Sequence, residues 1–320
     1  MQVRPILSLA LIAAFAGCGG DDSKTTTCGT PLTLFDTGAD KATAVAVDAE
    51  KLYYSIAGAG GQSTLYAVSK CGSERKALYT GPIQPSVMIA RGGFVFVANR
   101  THPSSLTAVP TGGGAPIVLA AQRDDVTFMA VDDAFVYYVD GIGVFQVPVG
   151  GGTPNALRKD AGSPQGVAVD GDSVYFVDRG DPLHPGSLSR MPKAGGDPVE
   201  LVKGTGYMGG FPVGAIVLDD VNVYFGAWNR QIVSVPKAGG STTVLSSIES
   251  PTAMATAGRD LYWVNGGSMS GDVDYGLKRM SRDGVVNATV LDKAAEVTNL
   301  ASDGDGTYYV VGTKIKRVSR

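Results

Sequence analysis

Histidine is almost missing from this chain: His102 and His184 are the only two in 320 residues. A centre built on several imidazoles is therefore excluded, and the two stand in different stretches of the chain, so they are not expected to meet at one atom. Cysteine is nearly as scarce, with Cys18, Cys28 and Cys71. Two cysteines without a neighbouring histidine make a poor zinc site. An excess of positive charge is lacking too, since 27 basic residues stand against 30 acidic ones for a net charge of −3. The basic residues are dispersed, and with no basic face nucleic acid is not an expected partner. The apolar run from Ile6 to Phe15 is too short to cross a bilayer as a helix.

What the chain has in abundance is one recurring pattern: small apolar residues, a turn with Asp or Gly, an aromatic pair, a variable loop, a short strand, a Gly-rich turn and another short strand. The first copy runs through Val45-Ala46-Val47-Asp48, Leu52-Tyr53-Tyr54, Leu65 to Ser69 and Ala77-Leu78-Tyr79. Later copies carry Tyr137-Tyr138, Tyr175-Phe176, Tyr224-Phe225, Tyr262-Trp263 and Tyr308-Tyr309, with Val95-Phe96 standing in for the second. Counting the first member of each pair, positions 53, 95, 137, 175, 224, 262 and 308 recur at intervals of 38 to 49 residues. Four short strands per unit at that period predict an all-β fold, a seven-bladed β-propeller of four-stranded antiparallel blades.

Adjacent residues of a strand point to opposite faces, so an aromatic pair makes a strand apolar on both sides. Only a sheet sandwiched between two others buries both rings, each worth about 1.5 to 3 kcal/mol before entropy. The first strand of each unit centres on Ala46, Met88, Ala130, Ala168, Val217, Ala255 and Ala301, five of them alanine, a small residue suited to a crowded axis. Lys193-Ala194-Gly195-Gly196 and Lys237-Ala238-Gly239-Gly240 join third and fourth strands, and their glycines supply the positive φ of tight hairpins. A phosphate cradle would need a following helix, whereas short strands such as Thr243-Val244-Leu245 follow. The seventh unit ends one strand short after Lys314 to Val318, and Cys28 to Phe35 matches the outer strand that begins at Cys71. The N-terminal strand is therefore expected to complete the last blade and remove its open edge. Lys314, Lys316 and Arg317 read as a solvated outer face.

Arg4 followed by the apolar run to Phe15 reads as a signal peptide. It ends in Phe15-Ala16-Gly17-Cys18, which resembles the lipobox of bacterial lipoproteins, with Phe15 departing from the usual Leu. The resemblance implies lipidation at Cys18 and a bacterial cell-envelope location. Gly19 after that cysteine implies the outer membrane. The expected organisation is residues 1–17 as signal peptide, 18–29 as a lipidated polar tether and 30–320 as the propeller, touching membrane through the anchor only. In an exported, oxidising compartment Cys28 and Cys71 are permitted to pair, although equivalent turns of adjacent blades tend to lie beyond disulfide reach, so bonding stays open.

Turns between first and second strands, such as Asp48-Ala49-Glu50 and Asp170-Gly171-Asp172, are short and uniform, like the Gly-rich hairpins at the same end of the blades. The opposite end carries the variable loops, where binding is expected. Candidates there are Asp178, Tyr207, Trp228, Asp272, Asp274 and Tyr275. His184, in a loop with Asp178 and Asp181, and His102, in Arg100-Thr101-His102-Pro103, are acid–base candidates or solvated loop residues. Asp125, Glu249 and Glu296, with Gln84 and Gln165, stand at the starts of inner strands, where oxygen ligands gathered at the axis would hold calcium. Asp303-Gly304-Asp305-Gly306 reads as a β-turn rather than a calcium loop.

Val-Tyr-Tyr-Val-Asp at 136–140, Val-Tyr-Phe-Val-Asp at 174–178 and Leu-Tyr-Trp-Val-Asn at 261–265 resemble YWTD repeats and, more closely, uncharacterised TolB-like bacterial propeller lipoproteins with Pro-Lys-Ala-Gly-Gly turns. These residues build blades and say little about activity. The expectation is an anchored binding module that needs no cofactor and takes a protein, peptide or glycan on the variable loops. The alternative is a propeller lyase or hydrolase using His184, His102 and Glu296 beside a metal or acid.

Overall fold

A computed structural model describes residues 31–319 apart from 39, 160–162, 181–184, 205–214, 228–229, 248, 267–274 and 285–286. Its strands form seven four-stranded antiparallel sheets, six of them running in chain order from an inner to an outer strand. The inner strands are Ala42–Val47, Pro85–Arg91, Phe128–Val131, Pro164–Val169, Ile216–Leu218, Pro251–Ala257 and Val297–Ser302. In the seventh sheet the outer strand is Pro31–Asp36, paired with Lys314–Ser319 from Pro31↔Val318 to Asp36↔Lys314. The ring is closed by the N-terminal strand, as the unpaired end of the repeat requires.

The aromatic pairs occupy second strands and are swallowed between blades. Tyr53, Tyr54, Tyr137, Tyr138, Tyr175, Phe176, Tyr224, Tyr262, Trp263, Tyr308 and Tyr309 are all essentially inaccessible. Each apolar cluster draws residues from two neighbouring blades; one joins Tyr53 and Leu65 to Met88, Val95 and Val97.

Blade 2 corrects the alignment by one residue. Ala46 faces Tyr53 and Ala130 faces Tyr137, but in blade 2 it is Ile89 that faces Phe96. Phe96, not Val95, is therefore the equivalent of Tyr53, and Ile89, not Met88, is the central inner residue. The unit has one ring where the others have two, so its phase along the strand is not marked by composition.

The two ends of the blades differ as the loop pattern implies. Every turn from first to second strand has two or three residues, and hairpins from third to fourth strand have six in five blades and seven in the sixth. These sets touch within a blade: the Lys193 amide donates to Asp172 O at 3.0 Å and the Lys237 amide to Val221 O at 2.8 Å. In the hairpins Gly195 and Gly239 take φ of 88°, in the region a side chain disfavours. At the other end, the hairpin from second to third strand has two residues in blade 3 and ten in blade 6. These ends are called the turn face and the loop face below. Pro31 lies level with Val318 and Thr37 donates to Thr313 O in the last loop-face hairpin, so the chain enters the ring from the turn face.

Candidate functional site

The inner strands are sheet edges, and their inward sides bound a channel of about 1130 Å³ on the ring axis. Ala46, Ala130, Ala168, Ala255 and Ala301, at the middle of five inner strands, line its wall. Its mouth on the loop face is polar for a reason the backbone supplies. Five of the seven inner strands carry a register shift near that end, leaving Thr43, Ser86, Gln165, Thr252 and the pair Thr298–Asn299 outside the ladder. A bulge frees a backbone group and re-aims a side chain. The Ser86 hydroxyl accordingly donates to Ala98 O at 3.2 Å, and Thr43 Oγ1 bonds Ser55 Oγ at 2.6 Å. With Thr127, these residues give six blades a hydroxyl or amide three positions before the central inner residue, and all line the channel. The recurrence is legible in the sequence only with the copies in register at this position, because Thr, Ser and Gln share no single residue type there.

Asn299 does more than line the mouth. Its Oδ1 accepts the buried Val45 amide and its Nδ2 donates to Ser86 O, both at 3.3 Å. One side chain of blade 7 therefore ties the inner strands of blades 1 and 2 across the ring closure.

The sequence candidates do not gather there. Gln84 and Gln165 line the channel; Asp125, Glu249 and Glu296 do not. Asp125 is an exposed connector residue with φ of 46°. Glu296 is exposed, with Lys41 at 3.8 Å. Glu249 is buried between blades 5 and 6, where Lys278 Nζ donates to both its oxygens at 3.0 and 2.9 Å. Trp263 Nε1 and the Ser246 hydroxyl donate to it as well. The expected oxygen cage for calcium is thus not assembled, because Glu249 turns outward to neutralise a buried lysine and the other two carboxylates remain in solvent. Among the described residues no three His, Cys, Asp or Glu side chains stand together as metal ligands.

Asp178 proves to be one of a repeated set. Its Oδ1 accepts the Ser163 amide at 3.0 Å, as Asn99 Oδ1 accepts Gln84 N and Asn265 Oδ1 accepts Ser250 N. A residue at or near the end of the second strand anchors the connector entering the same blade. This is what the last position of the Tyr-Phe-Val-Asp and Tyr-Trp-Val-Asn motifs does here. Tyr275 is 41% exposed on the loop face, and His102 is exposed in the loop of blade 2. Cys18, Cys28, His184, Tyr207, Trp228, Asp272 and Asp274 lie outside the described residues. Cys71 is disulfide-bonded, and both other cysteines lie outside that range.

The turn face is spent on holding blades together. Asp132 Oδ1 accepts the Ala134 and Phe135 amides, while its Oδ2 accepts Tyr137 Oη at 3.0 Å and, from the next blade, Lys193 Nζ at 2.6 Å. The same arrangement recurs with Asp170, Tyr175 and Lys237, and with Asp219, Tyr224 and Arg282. At the ring closure Lys70 pairs with Asp303 at 2.7 Å. Where blade 2 has Arg91 in the aspartate's place, the charges swap and Arg91 bonds Asp133 of blade 3 at 2.9 Å. Burial works against charge at Asp132, but the Lys193 ammonium and the backbone and Tyr137 donors outweigh it and hold the carboxyl down at about 2. Burial, then the Asp170 and Asp219 carboxylates, push Tyr175 and Tyr224 up to about 12. The lysine of each Lys-Ala-Gly-Gly turn is thus an interblade latch. Lys316 likewise pairs with Asp292 of blade 6 at 2.7 Å, which corrects its reading as a merely solvated residue. Asp303 is a turn residue as expected, accepting the Asp305 and Gly306 amides.

No protein-family model matches the chain, and no curated protein is recognisably similar to it. Solved structures are similar in shape. The WD40 propeller domain of Doa1 is 14% identical with a TM-score of 0.64, covering 92% of this chain and 96% of that one. A chain of the nidogen/laminin complex is 15% identical with a TM-score of 0.54, covering 72% and 90%. PorZ, a surface component of the type-IX secretion system of Porphyromonas gingivalis, is 13% identical with a TM-score of 0.58, covering 89% of this chain and 37% of that one. These are likenesses of fold. They place the chain among the β-propellers and leave its ligand to the site itself.

Proposed function

We propose that the protein is an exported binding module, tethered through a lipid on Cys18, that presents its loop face to a protein or peptide partner. The observation that carries this reading is the division of labour between the two faces. The turn face is uniform in length and consumed by interblade latches, whereas the loop face varies in length and holds the polar end of the channel. Long, divergent loops on a rigid scaffold are where binding concentrates. The point of entry adds a direction. Because the N-terminal strand joins the ring from the turn face, an anchor reached through a tether of residues 18–29 would act on that face, and an anchored propeller would turn its loop face outward from the membrane.

Two measurements test this. Cys18→Ser releases the protein from the membrane fraction; retention there contradicts the anchor. In-cell photo-crosslinking from position 275, on the loop face, captures a partner that crosslinkers at position 112 or 150, on the turn face, do not. Capture from the turn face alone refutes the choice of face.

A further inference from the structure

The channel has a chemical bias. Its lining among the described residues contains hydroxyls, amides and apolar side chains, a single charged residue, Arg100, and no carboxylate. Arg100 follows the second strand of blade 2, where its amide donates to Gln84 O at 2.9 Å. Its side chain is exposed and makes no ion pair among the described residues, whereas Arg123 is paired with Asp140 and Arg282 with Asp219. Beside it, blade 1 contributes Gln62 and a lip at residues 58–61 in which Gly58, Gly60 and Gly61 carry no side chain. Gly60 and Gly61 take φ of 66° and 75°, and a β-carbon on Gly61 would come within 3.5 Å of Gln84 Nε2. The lip, both glutamines and Arg100 thus share one corner of the mouth between blades 1 and 2. Below them the channel is mostly apolar, with inward strand edges whose backbone groups no neighbouring strand pairs.

A guanidinium with no ion-pair partner among the described residues, flanked by amides and an uncovered backbone, is suited to a carboxylate, which accepts bidentately from arginine. An apolar continuation with alanine at the middle of five of its strands leaves room for a small apolar group attached to it, and strand edges suit an extended backbone. Sugars fit less well, because Phe128 is the only aromatic ring among the described lining residues and no carboxylate is there to accept from hydroxyls. We infer that this corner holds the C-terminal carboxylate of an extended peptide, with Arg100 on the carboxylate, Gln62 and Gln84 on the last peptide units, and a small apolar terminal side chain entering the channel. The inference rests on the loop face being the working face and adds what it recognises.

The test uses fluorescein-labelled hexapeptide pools, randomised except for a terminal Ala or Val, each made as the free acid and as the C-terminal amide. With the full-length protein the free-acid pools bind about tenfold or more tighter than the amides, the expected weight of one charge-assisted pair. Arg100→Gln brings that ratio to about one, and Arg100→Lys restores part of it, with the thermal midpoint unchanged in both variants. Equal binding of acid and amide, or a preference that survives Arg100→Gln, overturns the inference. So does binding of hexanoate or a longer fatty acid through Arg100 when no peptide pool binds, since the carboxylate then comes from another source. If no pool binds while crosslinking from position 275 still captures a partner, the channel inference fails and the loop-face reading stands; if neither captures anything, both fail.

Discussion

Replacing Lys193 with methionine removes the cation of one interblade latch while keeping the length of its stem. In the native ring, Lys193 Nζ sits 2.6 Å from Asp132 Oδ2, and the two side chains are 20% and 21% exposed. Asp132 is held at about 2, against 3.8 for an ordinary aspartate. Each unit of such a shift is worth about 1.4 kcal/mol of differential stability. Part of it is owed to the Ala134, Phe135 and Tyr137 donors, which survive the substitution, and part is screened by solvent. The expected loss for Lys193→Met is therefore about 1 to 2 kcal/mol at pH 7. A carboxylate whose folded value lies below its unfolded value stabilises the fold fully above about pH 4, and that contribution is lost as pH falls through about 2. Asp170 and Asp219 are held below the ordinary carboxylate value in the same direction by their own donors, so the ring as a whole weakens in that window. Urea unfolding followed by circular dichroism at pH 7, 5, 4 and 3 measures both effects. The gap between native protein and Lys193→Met should be widest at pH 7 and narrow on acidification as Asp132 begins to take up its proton. A gap that stays constant with pH, or the absence of one at pH 7, refutes the assignment of Lys193 as a latch.

Three further outcomes follow from contacts made across blades. Glu249→Gln leaves the Lys278 ammonium buried with no opposite charge and should cost about 3 to 5 kcal/mol in urea unfolding read by tryptophan fluorescence. The paired change Glu249→Leu with Lys278→Leu should recover most of that, and a single variant within about 1 kcal/mol of native would contradict the account. Asn299→Ala strands the buried Val45 amide, while Ser86 O can turn to water in the channel, so the loss should be about 1 to 3 kcal/mol. Asn299→Asp, which keeps the acceptor, should lose less; equal losses would point to a packing role instead. Peptide mapping without reduction should join the Cys71 peptide to that of Cys28, because a lipidated Cys18 has no free thiol. A Cys71–Cys18 link would refute both the pairing and the anchor.

The blades themselves were legible from residues in a row. The alternation of a strand and the doubling of aromatic residues are local signals, and so are the glycines that must take positive φ; together they dictated seven sheets, their order and the closing strand. Legibility failed first in blade 2, where one ring in place of two left the phase open and Ile89 and Phe96 took the positions expected of Met88 and Val95. It failed again for the carboxylates at the axis, since standing at the start of an inner strand does not determine whether a side chain turns into the channel or away from it.

The amino-acid sequence by itself determined that this chain is a ring of seven blades and that its two ends differ, because those properties follow from side-chain periodicity within about fifty residues. Only the tertiary structure decided which residues meet across blades. Lys193 finds Asp132 from 61 positions away and Asn299 finds Val45 from 254. Such meetings depend on the angle at which successive sheets pack and on the diameter at which the ring closes, and no short-range pattern encodes either. The same closure placed Arg100 and the glycine lip at one corner of the channel, and so formed the site proposed to take a peptide's carboxylate.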